Sequence, residues 1–349
     1  MSQTWADISD LAFEAALAAY IVALVCYAIE LASRRAVDPA ETVATGRGAA
    51  AGTSTLVRTG GTDPVDPASI GRVESAPPAP WGVRFGRAAV VVTVVGAAAN
   101  VLSIVARGLA VGRLPLGNMY EFVSVFCAVA TITWLIVLAR TGARTLGTFV
   151  LTPVVILAVV AGTKLYVPAA PVVPALNSYW KWIHVTTVAI SSSVLMVSGA
   201  ASVGYLLRGR LERSGRLVAK DPAAMTDGTA GTAPVRSRSL LSVLPSMATL
   251  DRIAYRTAIV GFPLFTFAVI AGAMWAEVAW GRYWGWDPKE TCAFVTWVFY
   301  AAYLHARSTA GWRGRGAAWI CVLGFASMVF NLFFINMVVS GLHSYAGLN

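Results

Sequence analysis

The chain has 349 residues, of which 57% are hydrophobic and 13% are charged, and its mean hydropathy is +0.67. This composition is too apolar for an ordinary soluble protein and predicts a protein that crosses a membrane several times. The net charge of +10 is interpreted as a sign of membrane topology, with anionic lipid as the neighbour and no nucleic acid as partner.

Eight apolar stretches are long enough to cross a bilayer, each roughly 17 to 25 residues long. None of them alternates as a membrane barrel strand does, so we predict helices, which satisfy their backbone hydrogen bonds internally. The predicted fold class is all-α, a polytopic membrane protein with a bundle of about eight transmembrane helices. These helices are predicted near residues 11–31, 88–106, 119–139, 146–163, 182–207, 257–275, 291–306 and 317–339.

The chain divides into three parts. Residues 1–32 are predicted as a retained first transmembrane helix, because no basic residue precedes the apolar run and no small-residue cleavage site follows it. Residues 33–84 are predicted as a disordered cytoplasmic linker, since they are rich in Ala, Gly, Thr and Pro and contain no aromatic residue before Trp81. The remaining part is predicted as the main transmembrane domain (85–349), with a cytoplasmic loop (208–250) and a Trp-rich external segment (276–290).

The distribution of basic residues predicts the orientation of the helices. If the N-terminus lies outside, 21 of the 27 Lys and Arg residues fall in cytoplasmic segments and six fall outside. Because Lys and Arg resist translocation, this arrangement is the favoured one. Both termini and the Trp-rich segment are therefore predicted on the outer side.

Two kinds of residue are candidate metal ligands or redox groups. The four cysteines lie in or at the ends of predicted helices and form no C-x-x-C pair, so no thiol redox pair is predicted. His184 and His343 lie at the outer ends of the fifth and eighth helices, and His305 lies near the inner end of the seventh. A lone interfacial histidine is more often satisfied by backbone or water, but two of them around an aromatic segment favour axial ligation of haem iron.

The aromatic segment reads "WGRYWGWDPKE" from Trp280 to Glu290. An aromatic belt at the membrane interface explains the enrichment, but it does not explain the ordered sequence. Asp287 is predicted as the N-cap of the seventh helix, followed by Pro at the first position and Glu290 in a capping box. Trp280 and Trp284 would share one face if the stretch is helical. A flat ligand such as porphyrin suits such a surface, and its carboxylates have four candidate partners: Arg282, Lys289, Lys181 and Lys164.

The segment resembles the periplasmic motif of the WWD haem-handling proteins. Within that family the chain is similar to the CcsA/ResC type of the system II cytochrome c maturation pathway, often labelled CcsB in actinobacteria. The resemblance covers about residues 85–349, and loosely the first helix. Further pieces that carry it are "GRLPLGNMYEF" (112–122), "LDRIAYRTAIVGFPLFT" (250–266), "WVFYAAYLHAR" (297–307) and "GLHSY" (341–345).

The resemblance implies a site and a function. His184 and His343 would be external axial ligands of haem b, and His305 would be a haem ligand within the membrane. The other cofactor-binding residues implied are Trp280, Tyr283, Trp284, Trp286 and Asp287. Together with a CcsB/ResB-type membrane subunit, such proteins carry haem across the bacterial plasma membrane and present it to the CXXCH motif of apocytochrome c. Externally reduced cysteines imply a thioredoxin-like reductant pathway.

The expected mechanism is positioning of haem against two cysteines, and no acid-base catalytic residue is assigned. Three alternatives remain open on the sequence. A system I protein of the CcmC or CcmF type belongs to the same superfamily. A b-type electron carrier would need ligand pairs at matching depth within the bundle. A transporter of another aromatic solute would be colourless when purified.

Overall fold

The structure is a computed structural model that describes seven parts of the chain. They are residues 2–33, 80–170, 178–218, 244–309, 311–336, 338–339 and 341–342. Within these ranges the regular structure is entirely helical, which confirms the predicted all-α fold class. Most of the predicted linker and the end of the C-terminal segment lie outside the described residues.

Eight α-helices make up the bundle in the described part of the chain. They are α1 (Ser2–Ser33), α2 (Pro80–Val111), α3 (Met119–Thr141), α4 (Gly147–Lys164), α5 (Tyr179–Val218), α6 (Met247–Trp280), α7 (Pro288–Ser308) and α8 (Arg315–Phe330). A short 3₁₀ turn precedes α4, and a π-helical segment, Asn331–Ile335, follows α8.

Seven of these eight helices are long and apolar enough to cross a membrane. The exception is α7, whose Thr, Trp, Tyr and His residues and charged ends lower its mean hydropathy. With 21 residues at about 1.5 Å each, α7 is still as long as a bilayer core is thick. The chain is therefore a polytopic membrane protein, and α7 is the one helix of the described eight that is less apolar than a typical span.

The long helix α5 lies at the centre of the bundle. It packs along α6 and also contacts α3 and α8. Small side chains allow this close approach, since a Cβ added at Gly199 would lie 2.5 Å from Phe325 and one added at Gly261 would lie 2.8 Å from Leu195. The outer pairs are α1 with α2 and α7 with α8.

Several helix ends differ from the predicted ones because charged residues continue the helices beyond the apolar stretches. Residues 80–84, predicted as linker, belong to α2. The predicted cytoplasmic loop at 208–250 is shortened from both sides, since α5 runs to Val218 and α6 begins at Met247. An ion pair between Arg208 and Glu212, one turn apart, supports the extension of α5.

Candidate functional site

A large apolar cavity lies at the end of the bundle where α5 and α7 begin and α6 and α8 end. Its volume, counted with its open mouth, is about 1450 Å³. Its lining is mostly apolar with a few polar side chains, which is typical of small-molecule sites. The lining includes Asn118, Met119, Phe122, Lys181, His184, Gly272, Trp275, Trp280, Tyr283, Trp284, Lys289, Glu290, Asn331 and Asn336.

His184 lines this cavity one turn into α5. Its Nδ1 lies 2.7 Å from the Ala268 carbonyl oxygen, so Nδ1 carries the proton that is donated there and Nε2 is left unprotonated. The ring packs against Trp275, with centroids 6.0 Å apart and planes inclined by 27°. Gly272 permits this position, because a Cβ there would lie 2.7 Å from Cε1 of His184. The imidazole is thus fixed in orientation and has one nitrogen with a free lone pair.

The Trp-rich segment includes the end of α6 and the start of α7, and its residues 281–287 between the two helices are not helical. Trp280 is the last residue of α6, and Gly281 ends the helix in the left-handed conformation at φ 69°. Trp286 also has a positive φ, 57°. The idea that Trp280 and Trp284 share a helix face is therefore wrong, because the chain between them leaves the helix at Gly281.

The aromatic residues of this segment divide into two groups. Trp280, Tyr283 and Trp284 line the cavity. Trp286 does not line it and is 66% exposed, although its ring contacts that of Trp284 edge-on at 5.8 Å. Packing of Trp280 against Trp275, at 5.4 Å between ring centroids, joins the segment to the wall that holds His184.

The carboxylate of Asp287 accepts hydrogen bonds from two different parts of the chain. As the N-cap of α7 it accepts a hydrogen bond from the Lys289 backbone N–H, and Glu290 completes the predicted capping box. Its Oδ1 also accepts a hydrogen bond of 2.9 Å from the backbone N–H of Leu342. A Cβ at Gly341 would lie 2.7 Å from the same oxygen. Asp287 therefore links the start of α7 to the residue that precedes His343.

The four candidate partners for ligand carboxylates lie in different surroundings. Lys181 and Lys289 line the cavity. Arg282 lies 3.9 Å from Glu290, and Lys164 is exposed at the end of α4, away from the cavity. Lys289 lies outside the predicted spans, and burial lowers its pKa to about 8, which leaves it mostly protonated at neutral pH. The two lysines make the cavity a basic environment.

The three histidines are not brought together by the described structure. His343 lies outside the described residues. His305 lies toward the far end of α7 from the cavity, where its side chain is exposed. The anchoring contacts at that end are made by Arg307, which pairs with Asp251 at 2.5 Å and stacks over Tyr255. Both of the latter residues belong to the "LDRIAYR" stretch.

Two features of the site were not recognised in the sequence. The first is a buried ion network behind the loop between α2 and α3. The Glu121 carboxylate accepts from Arg107 at 3.2 Å, from Arg113 at 2.8 Å and from the Gly117 backbone at 2.6 Å. Asn118 caps α3 through the Glu121 N–H. This network fixes the loop so that residues 116–119 form one wall of the cavity.

The second feature is the π-helical segment at the end of α8. Single turns of π-helix occur often at functional sites because they shift the direction of the side chains that follow. Here the segment places Asn331, Leu332 and Asn336 on the cavity. Lys289 Nζ donates to Asn336 Oδ1, and Asn331 donates to the Lys289 carbonyl at 3.3 Å. The end of α8 is thereby tied to the start of α7.

Comparison with known proteins gives the family. The model of the cytochrome c assembly protein family matches residues 116–343, which include every cavity-lining residue named above. The chain belongs to the cytochrome c assembly family. The match also spans the Trp-rich segment and all three histidines.

Two relatives narrow the family to one type. The cytochrome c biogenesis protein CcsA of a Picosynechococcus species is 37% identical over 279 residues, which cover 69% of this chain and 82% of that protein. CcsA of Synechococcus elongatus is 38% identical over 271 residues, which cover 69% and 81%. These findings confirm the prediction that the chain is a CcsA-type member of the family.

One solved structure shares the fold. The cytochrome c heme lyase CcmF is similar over 94% of this chain and 46% of that chain, with a TM-score of 0.57 and 15% sequence identity. At this identity the likeness shows the fold alone. Since the relatives at 37% and 38% identity are CcsA proteins, the CcsA type is favoured over the CcmC or CcmF alternative for this member of the cytochrome c assembly family.

Proposed function

We propose that the chain is the membrane component of a system II cytochrome c synthase that carries haem to the outer face and presents it to apocytochrome c. The observation that carries this proposal is the state of His184. Its Nδ1 is engaged by Ala268, and Nε2 makes no hydrogen bond within the described residues while the ring faces a large aromatic cavity. This is the arrangement in which neutral imidazole binds iron, since the bond to the other nitrogen fixes the tautomer.

Haem b is proposed as the substrate that the rest of the cavity binds. Trp280, Tyr283 and Trp284 offer flat apolar surface to the macrocycle, and the lining also contains two lysines as candidate partners for its carboxylates. His343 is proposed as the second axial ligand, because Asp287 holds the backbone of the preceding residue beside the cavity wall. Trp286 would act from outside the cavity by supporting the ring of Trp284.

The proposed chemistry is positioning of reactants. In thioether formation each cysteine S–H adds across a haem vinyl group, so sulfur bonds to one carbon and hydrogen to the other, and no oxidant is consumed. The protein's task is to hold the porphyrin edge accessible, which removes orientational freedom from the reaction. In the cavity lining, Oε2 of Glu290 accepts hydrogen bonds from two backbone N–H groups and lies 3.9 Å from Arg282, which supports a structural function for this carboxylate.

Partners are proposed to supply what this chain lacks. A thioredoxin-like reductant pathway would keep the CXXCH cysteines reduced, because the cysteines of this chain are all buried or half-buried in helices. A CcsB/ResB-type membrane subunit would bind next to α7, where the exposed His305 is available to it.

The orientation is proposed from charge. Six of the 27 basic residues fall in the segments at the cavity end of the bundle, and the other 21 fall in the segments predicted to be cytoplasmic. The cavity is therefore assigned to the outer side of the plasma membrane, with both termini there. Labelling of single cysteines at positions 283 and 230 tests this, and labelling from the same side would contradict it.

The absorption spectrum of the purified chain tests the proposed function. We expect a haem Soret band in the wild type, and a loss of about tenfold in haem affinity in Trp280→Ala and Trp284→Ala, which remove cavity surface. Trp286→Ala is the matched control outside the cavity and should lose less. A colourless wild type would contradict the proposal and favour a transporter of another solute.

Asp287→Asn and Gly341→Ala are expected to give the same defect. Asn has one carbonyl oxygen for two backbone donors, so either the cap or the Leu342 bond loses its acceptor. The Ala methyl at position 341 would displace the same carboxylate without altering the α7 sequence. Each variant should hold haem about tenfold more weakly and regain binding with added imidazole. If Asp287 serves only as a helix cap, Asn can replace it, as the sequence alone indicates. Full haem content in both variants would therefore mean that capping is the only function of Asp287.

A further inference from the structure

Lys181 is a buried cation at the edge of the cavity. Lys181 is 3% exposed and lies in the first turn of α5. Its side chain lines the cavity together with that of His184. Burial of an ammonium group without a counter-ion is costly, especially at the edge of a membrane. A side chain kept in such a place is stabilised by a hydrogen-bond acceptor, and most strongly by one of opposite charge.

The described residues do not provide that partner. The Lys181 Nζ lies 3.7 Å from the centroid of the Trp182 ring, a cation-π contact that leaves its N–H donors available. Glu121 is the acidic residue whose charge acts on Lys181, but its carboxylate is already bound to Arg107 and Arg113. Glu290 makes no ion pair with Lys181, and its Oε2 accepts hydrogen bonds from the backbone N–H groups of Gly285 and Asp287.

The second lysine of the cavity provides a comparison. Lys289 donates its Nζ proton to Asn336 Oδ1, so its charge has a neutral acceptor within the chain. Lys181 has no hydrogen bond to any described residue. Of the two lysines, Lys181 is therefore the one whose ammonium group is directed at whatever occupies the cavity.

We propose that Lys181 is the binding site for a carboxylate of the cavity's ligand. This inference rests on the proposed function and assigns the orientation of the haem. Lys181 and His184 are three residues apart on α5, about 4.5 Å along the axis. A propionate on Lys181 and iron on His184 place the carboxylate edge of the porphyrin at the start of α5. The opposite edge, which carries the vinyl groups, then faces away from that helix end.

A comparison of two ligands on four proteins tests this assignment. The full-length chain, freed of haem, is titrated with iron protoporphyrin IX and with its dimethyl ester, which lacks the charged carboxylates. The proteins are the wild type, Lys181→Met, Lys181→Arg and Lys164→Met. Lys164 is an exposed lysine away from the cavity and serves as the matched control. The ratio of affinities between variant and wild type is taken for each ligand, so that partition of the ester into detergent cancels.

Lys181→Met should weaken binding of the free acid about tenfold or more and change binding of the ester by less than twofold. Lys181→Arg should keep most of the preference for the free acid over the ester. Lys164→Met should bind both ligands with wild-type affinity. Equal losses for acid and ester, or no loss for either, would overturn the assignment. If Lys181 instead binds the phosphate of an anionic lipid, Lys181→Met should lose affinity for neither ligand. If the wild type binds neither porphyrin, the proposed function itself fails, and the inference fails with it.

Discussion

The His184→Gly variant should lose cytochrome c maturation by more than about tenfold while the protein remains in the membrane. Its imidazole is proposed as one of two axial ligands, and changes even to the groups that orient a metal ligand cost roughly 10- to 100-fold in affinity. The space left by the side chain adjoins Gly272 and Trp275, so added imidazole can enter it and occupy the same position. Partial recovery of maturation with imidazole is therefore expected.

A matched control separates ligand loss from damage to α5. Thr187 lies one turn further along the same helix and is half-buried, so Thr187→Gly adds the same backbone freedom without removing an imidazole. It should keep maturation and haem content near wild-type levels. His343→Gly should reproduce the defect of His184→Gly, because each histidine is proposed to hold half of one axial pair. Normal maturation in the double Gly variant is incompatible with this site.

The helices could be predicted because their signal is local. An apolar stretch of sufficient length identifies each span, and the start of α7 follows from Asp287, Pro288 and Glu290, which are adjacent in sequence. The ends were less accessible, because a charged turn continues a helix when it reaches a polar region, as α5 does beyond Arg208. The break at Gly281 was also missed, although a glycine there is the common signal for a helix end.

The site was only partly accessible because its walls come from distant parts of the chain. No local pattern selects Lys181 over Lys164 as a carboxylate partner, since that choice depends on which lysine faces the cavity. The Leu342 bond to Asp287 joins residues 55 positions apart, and no local pattern reveals it. The ion network of Glu121 was also missed, because one of its arginines, Arg107, lies on α2 outside the motif that contains Glu121 and Arg113.

His305 is expected to bind haem only when a second protein supplies the other imidazole. The chain has three histidines, and the proposed external site uses two of them, so His305 has no histidine partner within the chain. Its side chain is exposed on α7, and it makes no hydrogen bond to the described residues. A function in anchoring the end of α7 is not needed, since Arg307 performs it through Asp251. An exposed, unanchored imidazole on α7 suits a ligand pair shared across an interface with the CcsB/ResB-type subunit.

The test uses the His184→Gly, His343→Gly double variant, which leaves His305 as the one histidine. Purified alone, this chain should show no six-coordinate haem spectrum; co-expressed with its partner, it should show one. A further His305→Gly change should remove that spectrum. Val298→Gly, two turns earlier on the same face of α7 and 43% exposed, should preserve it, because that change alters the surface but removes no ligand.

A six-coordinate spectrum from the chain alone would contradict the shared site. Such a spectrum in the complex with His305→Gly would assign the membrane haem to other residues. Loss in both Gly variants would mean that this face holds the partner through packing, and that His305 is not a ligand.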